Sequence, residues 1–551
     1  MDAARPDRSC GRFPGIALER FPSVAPLCRV CSGSDLNHRS LPTIHGAYYL
    51  RPGSPFVGVG TADIDPSLLA DFAQMTTVAP DTLTQDITSS MTLSPTTPRD
   101  IASQPCLGWH YPAIDYVLNG ATVNNCTLNI DQGTVLAFDS AGPYEWGLRL
   151  NPGGRLNVNG VPTNRVVFAR IEAIQEDPWQ SWANGPLITF KGVFLPAPSG
   201  TMVTPLPEAR LHFTDFPTMA GDAVHFGPLT GDLTYDCVST LELDSCLLQG
   251  GEFFYESGGP QARTLTLRNT IFERSLVALT DSQNAHGTTA EQLTAYNNLF
   301  YDCDMWLHPA SSAGSGWSII DSIFDQSQFH GNGPVIENKY NAYVAMSANH
   351  VSPTTESGTN PDLAALAYVT GPLGRFCLPS AATALQNAGS RLASAAGLYH
   401  FTSFANGTKQ AASQVNIGPA YLALDANGLP YDSNGDGIPD FLADRNGDAA
   451  ETGEMPWQSP NTGSPAVLFP GDGATVSGTV SLAIHLGPTP SRVTRVVPVV
   501  DGRTLPGMTG VSNPGRSSAS VEIDTTRLAN GAHDVSLRLY ATVAAAPSPD
   551  L

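Results

Sequence analysis

The chain has 551 residues, and at about 100 to 200 residues per domain that length excludes a single compact unit. Lys+Arg 28 against Asp+Glu 50 gives a net charge of -22, and the lysines are just Lys191, Lys339 and Lys409, so the basic face that nucleic-acid binding requires is missing. Gly 52, Pro 45 and 14% charged residues favour strands and tight turns, while 41% hydrophobic residues exclude wholesale disorder.

Residues 1–40 read as an irregular N-terminal segment with no apolar stretch long enough for the core of a secretory signal. No run of about 18 apolar residues occurs, which predicts no transmembrane helix. Nine scattered cysteines are not a disulfide framework. Cys28 and Cys31, with Cys10, His38 and His45, can be assembled into a zinc site, but a lone CxxC with irregular partners is a weak signal and the cysteines read mostly as buried thiols.

Residues 46–61, GAYYLRPGSPFVGVGT, echo 374–390, GRFCLPSAATALQNAGS. LGWHYPAIDY at 107–116 answers NIGPAYLALD at 416–425. The echo predicts that 41–105 is the closing segment of a preceding unit, that 346–424 closes a second one, and that the chain begins inside a larger polypeptide.

Between them a ladder emerges: LELDSCL at 241–247, LTLRNTIF at 265–272, LTAYNNLF at 293–300 and WSIIDSIF at 317–324. Their apolar ends, Leu247, Phe272, Phe300 and Phe324, recur at intervals of about 25 residues, the period of a stacked repeat. Apolar and polar residues alternate as in strands, and Asn269, Asn297 and Asp321 fall at corners where Asn and Asp tolerate left-handed torsions. The reading is all-β, with a right-handed parallel β-helix over 106–345. Leu265, Leu267, Ile271, Phe272, Leu293, Leu299, Phe300, Ile319, Ile323 and Phe324 are assigned to its inner face. A β-sandwich of hairpins also alternates, but has no reason to repeat Asn/Asp corners at fixed spacing.

At 425–457 the chain reads as a calcium-binding linker. Asp432, Asn434, Asp436, the Ile438 carbonyl and Asp440 take positions 1, 3, 5, 7 and 9 of a calcium loop, with Gly437 at the sharp turn. Position 12 is Ala443, so Asp444 is the candidate in its place. A second half-repeat offers Asp444, Asn446 and Asp448, with Ala449 where a glycine is usual and Glu451 and Glu454 following. The alternative is an Asp/Asn/Gly-rich linker without metal. In the calcium reading, unneutralised carboxylates repel one another and leave the segment flexible until the cation binds. Residues 462–551 show short apolar alternations between Gly/Pro turns, suiting an Ig-like β-sandwich that lacks the cysteine pair of antibody domains and stops short of a last strand.

The ladder, DSNGDGIPD followed by DRNGD, and the phrases GDGATVSGTVSLAI and DTTRLANGAHDVSL resemble large bacterial surface or secreted proteins. Such proteins join a parallel β-helix to thrombospondin type 3-like calcium repeats and Ig-like modules. The resemblance implies an extracellular or cell-surface location, calcium as the cofactor, and an extracellular glycan or surface protein as partner. A non-catalytic structural or adhesive role follows. The competing reading is a secreted polysaccharide lyase or glycoside hydrolase, for which Asp302, Asp304, Asp321 and His330 are the available groups, although acidic residues at corners ordinarily form turns.

Overall fold

The computed structural model describes residues 48–51, 53–100, 104–139, 146–171, 187–190, 205–227, 238–257, 263–281, 291–308, 316–331, 336–346, 350–351, 354–410, 413–434, 438–444, 446–450, 457–458, 466–469, 479–485, 493–501, 511–512, 518–524, 533 and 535–541. The candidate zinc residues Cys10, Cys28, Cys31, His38 and His45 lie outside them, as do Asp436, Gly437, Glu451 and Glu454. Among the described residues no helix is long and apolar enough to cross a membrane.

The fold is all-β and dominated by long parallel sheets. The described strands from Asp81 to Leu363 fall on three faces in rotation. Arg263–Arg268, for example, lies on the first, Ile271–Glu273 on the second and Leu276–Asp281 on the third, before Glu291–Tyr296 returns to the first and pairs parallel with Arg263–Arg268. A 10-stranded sheet forms the first face; the other two faces merge into one 18-stranded sheet.

Register explains the period. Leu211, Leu243, Leu267, Ala295 and Ile319 pair rung to rung and stack inside, all nearly inaccessible. On the second face Phe272, Phe300, Phe324 and Tyr343 form a column with centroids 5.1 to 5.4 Å apart. That spacing follows from the distance of about 4.8 Å between paired strands. Asn269, Asn297 and Asp321 hold φ of 50°, 54° and 56°, the left-handed corners expected from their side chains. Directly after them runs a buried polar ladder: Thr270 N–H donates to Asn298 Oδ1 (2.9 Å), Asn298 N–H to Ser322 Oγ (3.1 Å) and Ser322 N–H to Asn341 Oδ1 (2.8 Å).

Two expectations need correction. The parallel ladders begin before residue 106: Asp81–Leu83, Asp86–Ile87 and Met91–Leu93 pair with Tyr116–Leu118, Ala121–Val123 and Thr127–Asp131, so part of 41–105 is the first rung of this same stack. Strands of two or three residues are too short to display alternation. Likewise Thr354–Ser357 and Asp362–Leu363 extend the ladders beyond 345. Second, Ile271, Leu299 and Ile323 are not inside. Adjacent strand residues point to opposite faces, so with Phe272, Phe300 and Phe324 inward these three form an outer column. They are nonetheless buried, because Phe376, Leu378, Leu385 and Ile417 cover them.

That cover, residues 374–424, is held by short pairings such as Phe401–Thr402 against Tyr421–Leu422. Farther along, Ala466–Phe469, Thr479–His485 and Ser518–Asp524 form one antiparallel sheet, and Val493–Val500, Val511–Ser512 and Val535–Ala541 another.

Candidate functional site

The candidate calcium-loop sequence is tied together at its base. Asp440 N–H donates to the Tyr431 carbonyl (2.7 Å), while Ser433 donates its N–H to Asp440 Oδ1 and its hydroxyl to Oδ2, both at 2.7 Å. Pro439 cannot continue a helix backwards and Asp440–Ala443 begins one here, so Asp440 sits buried at the start of a single helical turn. The donor set of Asp432, Asn434, the Ile438 carbonyl and Asp440 is all oxygen, which fits a hard cation such as Ca²⁺. When bound, the cation would neutralise these carboxylates and fix the loop.

The segment also carries a positive charge beside Asp440. Lys409, contributed by the cover, places Nζ 3.4 Å from Asp440 Oδ2. Its ammonium also lies 4.7 Å from the Tyr399 ring centroid, 4.9 Å from Trp457 and 5.6 Å from Tyr431, a cation–π cage built from the cover and both ends of 425–457. Burial lowers the Lys409 pKa, and Asp440 opposes that shift.

Asp444, the candidate replacement for position 12, is turned to a different task. His400 Nε2 lies 2.8 Å from its Oδ2, and the amides of Asp448 and Ala449 donate to it at 3.2 and 2.9 Å. Burial would raise the Asp444 pKa, but His400 and these amides outweigh it and hold the carboxyl below its usual range. The second half-repeat therefore exists as a turn in which Asp448 N–H also reaches Asn446 Oδ1 (2.8 Å) and Ala450 N–H reaches Asp448 Oδ1 (2.7 Å). Its docking onto the cover explains Gly447: at φ 65°, an added Cβ would stand 2.3 Å from the Gly397 carbonyl oxygen. His400 itself is buried, 3.9 Å from Asp440 through Nδ1, and thus bridges the two half-repeats. Sequence reading missed Lys409 and His400, since both lie well upstream of the Asp-rich stretch.

Charged clusters also lie elsewhere among the described residues. His212, Glu242 and Asp244 bring their ligand atoms within 4.8 Å of one another on the first face. Arg268 is already paired with Asp244, and Arg210 Nε is 3.7 Å from Glu242, so positive charge is supplied by the protein. Burial alone would raise Asp244 and lower His212; their mutual hydrogen bond, aided at Asp244 by Arg268, reverses both shifts.

The candidate hydrolytic groups separate. Asp321 is a buried corner, its carboxylate accepting the N–H (2.6 Å) and hydroxyl (2.7 Å) of Ser390 from the cover. Asp302, with φ 52°, turns a second corner. Asp304 and His330, in contrast, meet on the third face with Nε2 2.8 Å from Oδ1. His330 stacks on Trp306 at 4.6 Å, and His308 lies 5.9 Å from the same indole, which is 41% exposed. An exposed ring bordered by polar groups is a surface on which a sugar ring can stack.

Comparison of the chain with family models, curated proteins and solved structures found no match in any of the three.

Proposed function

We propose that this is a non-catalytic cell-surface or secreted structural and adhesive protein. In this reading 81–363 is a right-handed parallel β-helix serving as a stiff stalk, 425–457 is a thrombospondin type 3-like calcium linker, and 462–551 is an Ig-like module. The observation that carries it is the tie from Lys409 and His400 to Asp440 and Asp444, which anchors the linker to the cover and through it to the stack. A ligand loop so anchored is suited to stiffening a junction rather than to turnover. Isothermal calorimetry and limited proteolysis of the full chain test this. Binding at submillimolar to millimolar calcium, with slower cleavage between 425 and 465, is expected. The absence of both, or binding unchanged by Asp436→Ala, would overturn the calcium role.

A second reading, a secreted enzyme acting on polysaccharide, is favoured by one observation, the Asp304–His330 pair beside exposed Trp306. Release of reducing or unsaturated ends from glycans, abolished by Asp304→Asn, would replace the structural reading with it.

A further inference from the structure

The sequence echo has a structural counterpart. Leu50 bridges Val78 in parallel as Leu378 bridges Phe404, and Met75–Thr76 pairs antiparallel with Tyr111–Pro112 as Phe401–Thr402 pairs with Tyr421–Leu422. Leu107 N–H donates to the Phe56 carbonyl (2.8 Å) as Ile417 does to Leu385 (2.9 Å), and Gly60 to Pro105 (2.7 Å) as Gly389 to Val415 (2.9 Å). The Tyr111 hydroxyl accepts from Tyr48 N–H (3.3 Å) as that of Tyr421 accepts from Phe376 N–H (3.2 Å). Gly58 and Asn387 share a left-handed backbone, φ 61° and 52°. Residues 48–61 and 105–112 are therefore a second copy of the cover.

The copies differ in what lies against them. In the later copy Phe376, Leu385 and Ile417 are 6%, 0% and 0% exposed, seated on the Ile271, Leu299 and Ile323 column. Their counterparts Tyr48, Phe56 and Leu107 are 61%, 52% and 49% exposed, and the nearby Val57, Val59 and Trp109 are exposed as well. Apolar anchors that are seated in one copy and left exposed in the other mark an interaction face.

We infer that the face formed by Tyr48, Phe56 and Leu107 docks on the corner of a second parallel stack, one with an aliphatic outer column flanked by Asn or Asp side chains. The inference rests on the later copy, whose occupied interface displays the complementary surface: apolar anchors in the middle, with backbone groups of Asn416, Gly418 and Ala420 satisfied by Asn297 and Asn269 beside them. The occupant is not a second molecule of this chain in its native state, because the corner formed by Asn269, Asn297 and Asp321 is already taken by its own cover.

The protein's own corner can stand in for the partner once its cover is unseated. Leu385→Glu with Ile417→Glu places two buried charges at that interface and should free the corner while the ladder persists, as judged by amide exchange of 263–268. Where the ladder is lost, Leu385→Ala with Ile417→Ala serves instead. In sedimentation velocity the opened full chain should associate head to tail as concentration rises, because the face of one molecule and the corner of the next make a heterologous contact. Adding Phe56→Glu and Leu107→Glu to the same chain should restore a monomer, whereas the native chain should show no association that depends on Phe56. An opened chain that stays monomeric, or that associates regardless of Phe56 and Leu107, overturns the proposal. Native-chain dimers abolished by Phe56→Glu would overturn it in favour of self-association. None of these outcomes depends on calcium binding, so they are independent of the proposed linker function.

Discussion

Asn269 and Ala420 exchange a pair of hydrogen bonds across 151 residues: Asn269 Oδ1 accepts the Ala420 amide at 2.7 Å, and Nδ2 donates to the Ala420 carbonyl at 2.9 Å. The carboxamide thus acts as an extra peptide unit, pairing the cover to the stack as a strand would. Its backbone simultaneously supplies the left-handed corner. One residue type satisfies both demands, since Asn tolerates positive φ and carries donor and acceptor together.

Replacement of Asn269 should separate those contributions. Asn269→Gly keeps the corner and loses the pairing, with a cost of about 2 kcal/mol for buried groups left without partners. Asn269→Ala also forces a Cβ into the left-handed region and should cost about 1 to 2 kcal/mol more. Urea unfolding of the two variants beside the native chain measures both steps; equal midpoints for Gly and Ala would show that the corner carries no strain.

His225 provides a pH dependence. It is fully buried, with Nε2 2.9 Å from the Gly250 carbonyl oxygen, and desolvation, with Arg170 nearby, pushes its pKa down to about 4. Between about 4 and the ordinary value of 6.5 the unfolded chain binds the proton and the folded chain does not. The stability is accordingly intact above 6.5 and declines as pH falls towards 4, by roughly 3 kcal/mol in all. The difference in unfolding midpoint between the native chain and His225→Gln should narrow or invert across that window. A constant difference would show that His225 does not titrate in this way.

Lys409 is expected to weaken calcium binding by sharing Asp440. Removing one positive charge near a divalent ion is worth about 1 kcal/mol in a high-dielectric setting, or about fivefold in affinity. Calorimetry should therefore find Lys409→Met binding calcium about fivefold more tightly, with Lys409→Arg close to the native chain. Trp457 lies against this ammonium, so its fluorescence gives a second readout. Unchanged affinity in Lys409→Met would place the ion beyond the reach of this charge.

The legible and illegible parts of the fold divide on a physical line. Phe272, Phe300 and Phe324 with corners Asn269, Asn297 and Asp321 could be read directly, because one rung repeats the next at nearly constant spacing. The second corner, at Arg274, Asp302, Gln326 and Ala345, has no common residue type and left no pattern, although all four have φ of 52° to 55°. Ile271, Leu299 and Ile323 were misplaced because a covered outer face is as apolar as an inner one. At 425–457 the candidate ligands share one stretch of sequence, but Lys409 and His400 reach it through tertiary packing, which spacing cannot express.

The last prediction concerns Trp306. With His330 stacked on it and Asp304 beside His330, this face offers an aromatic plane bordered by hydrogen-bonding groups, while the carboxylate and the net charge of -22 disfavour an acidic ligand. A neutral oligosaccharide should bind weakly and perturb the tryptophan fluorescence, since one stacking platform supplies little binding free energy. Titration with cellohexaose and maltohexaose, beside oligogalacturonate, should show saturable binding of a neutral sugar that Trp306→Ala reduces at least tenfold. Asp304→Asn should lower affinity less, by about threefold, because the stacking plane remains. Binding that survives Trp306→Ala, or a preference for oligogalacturonate, would show that this face is not a platform for neutral sugars. Catalytic release of reducing ends that disappears in Asp304→Asn would instead make the same residues an active site.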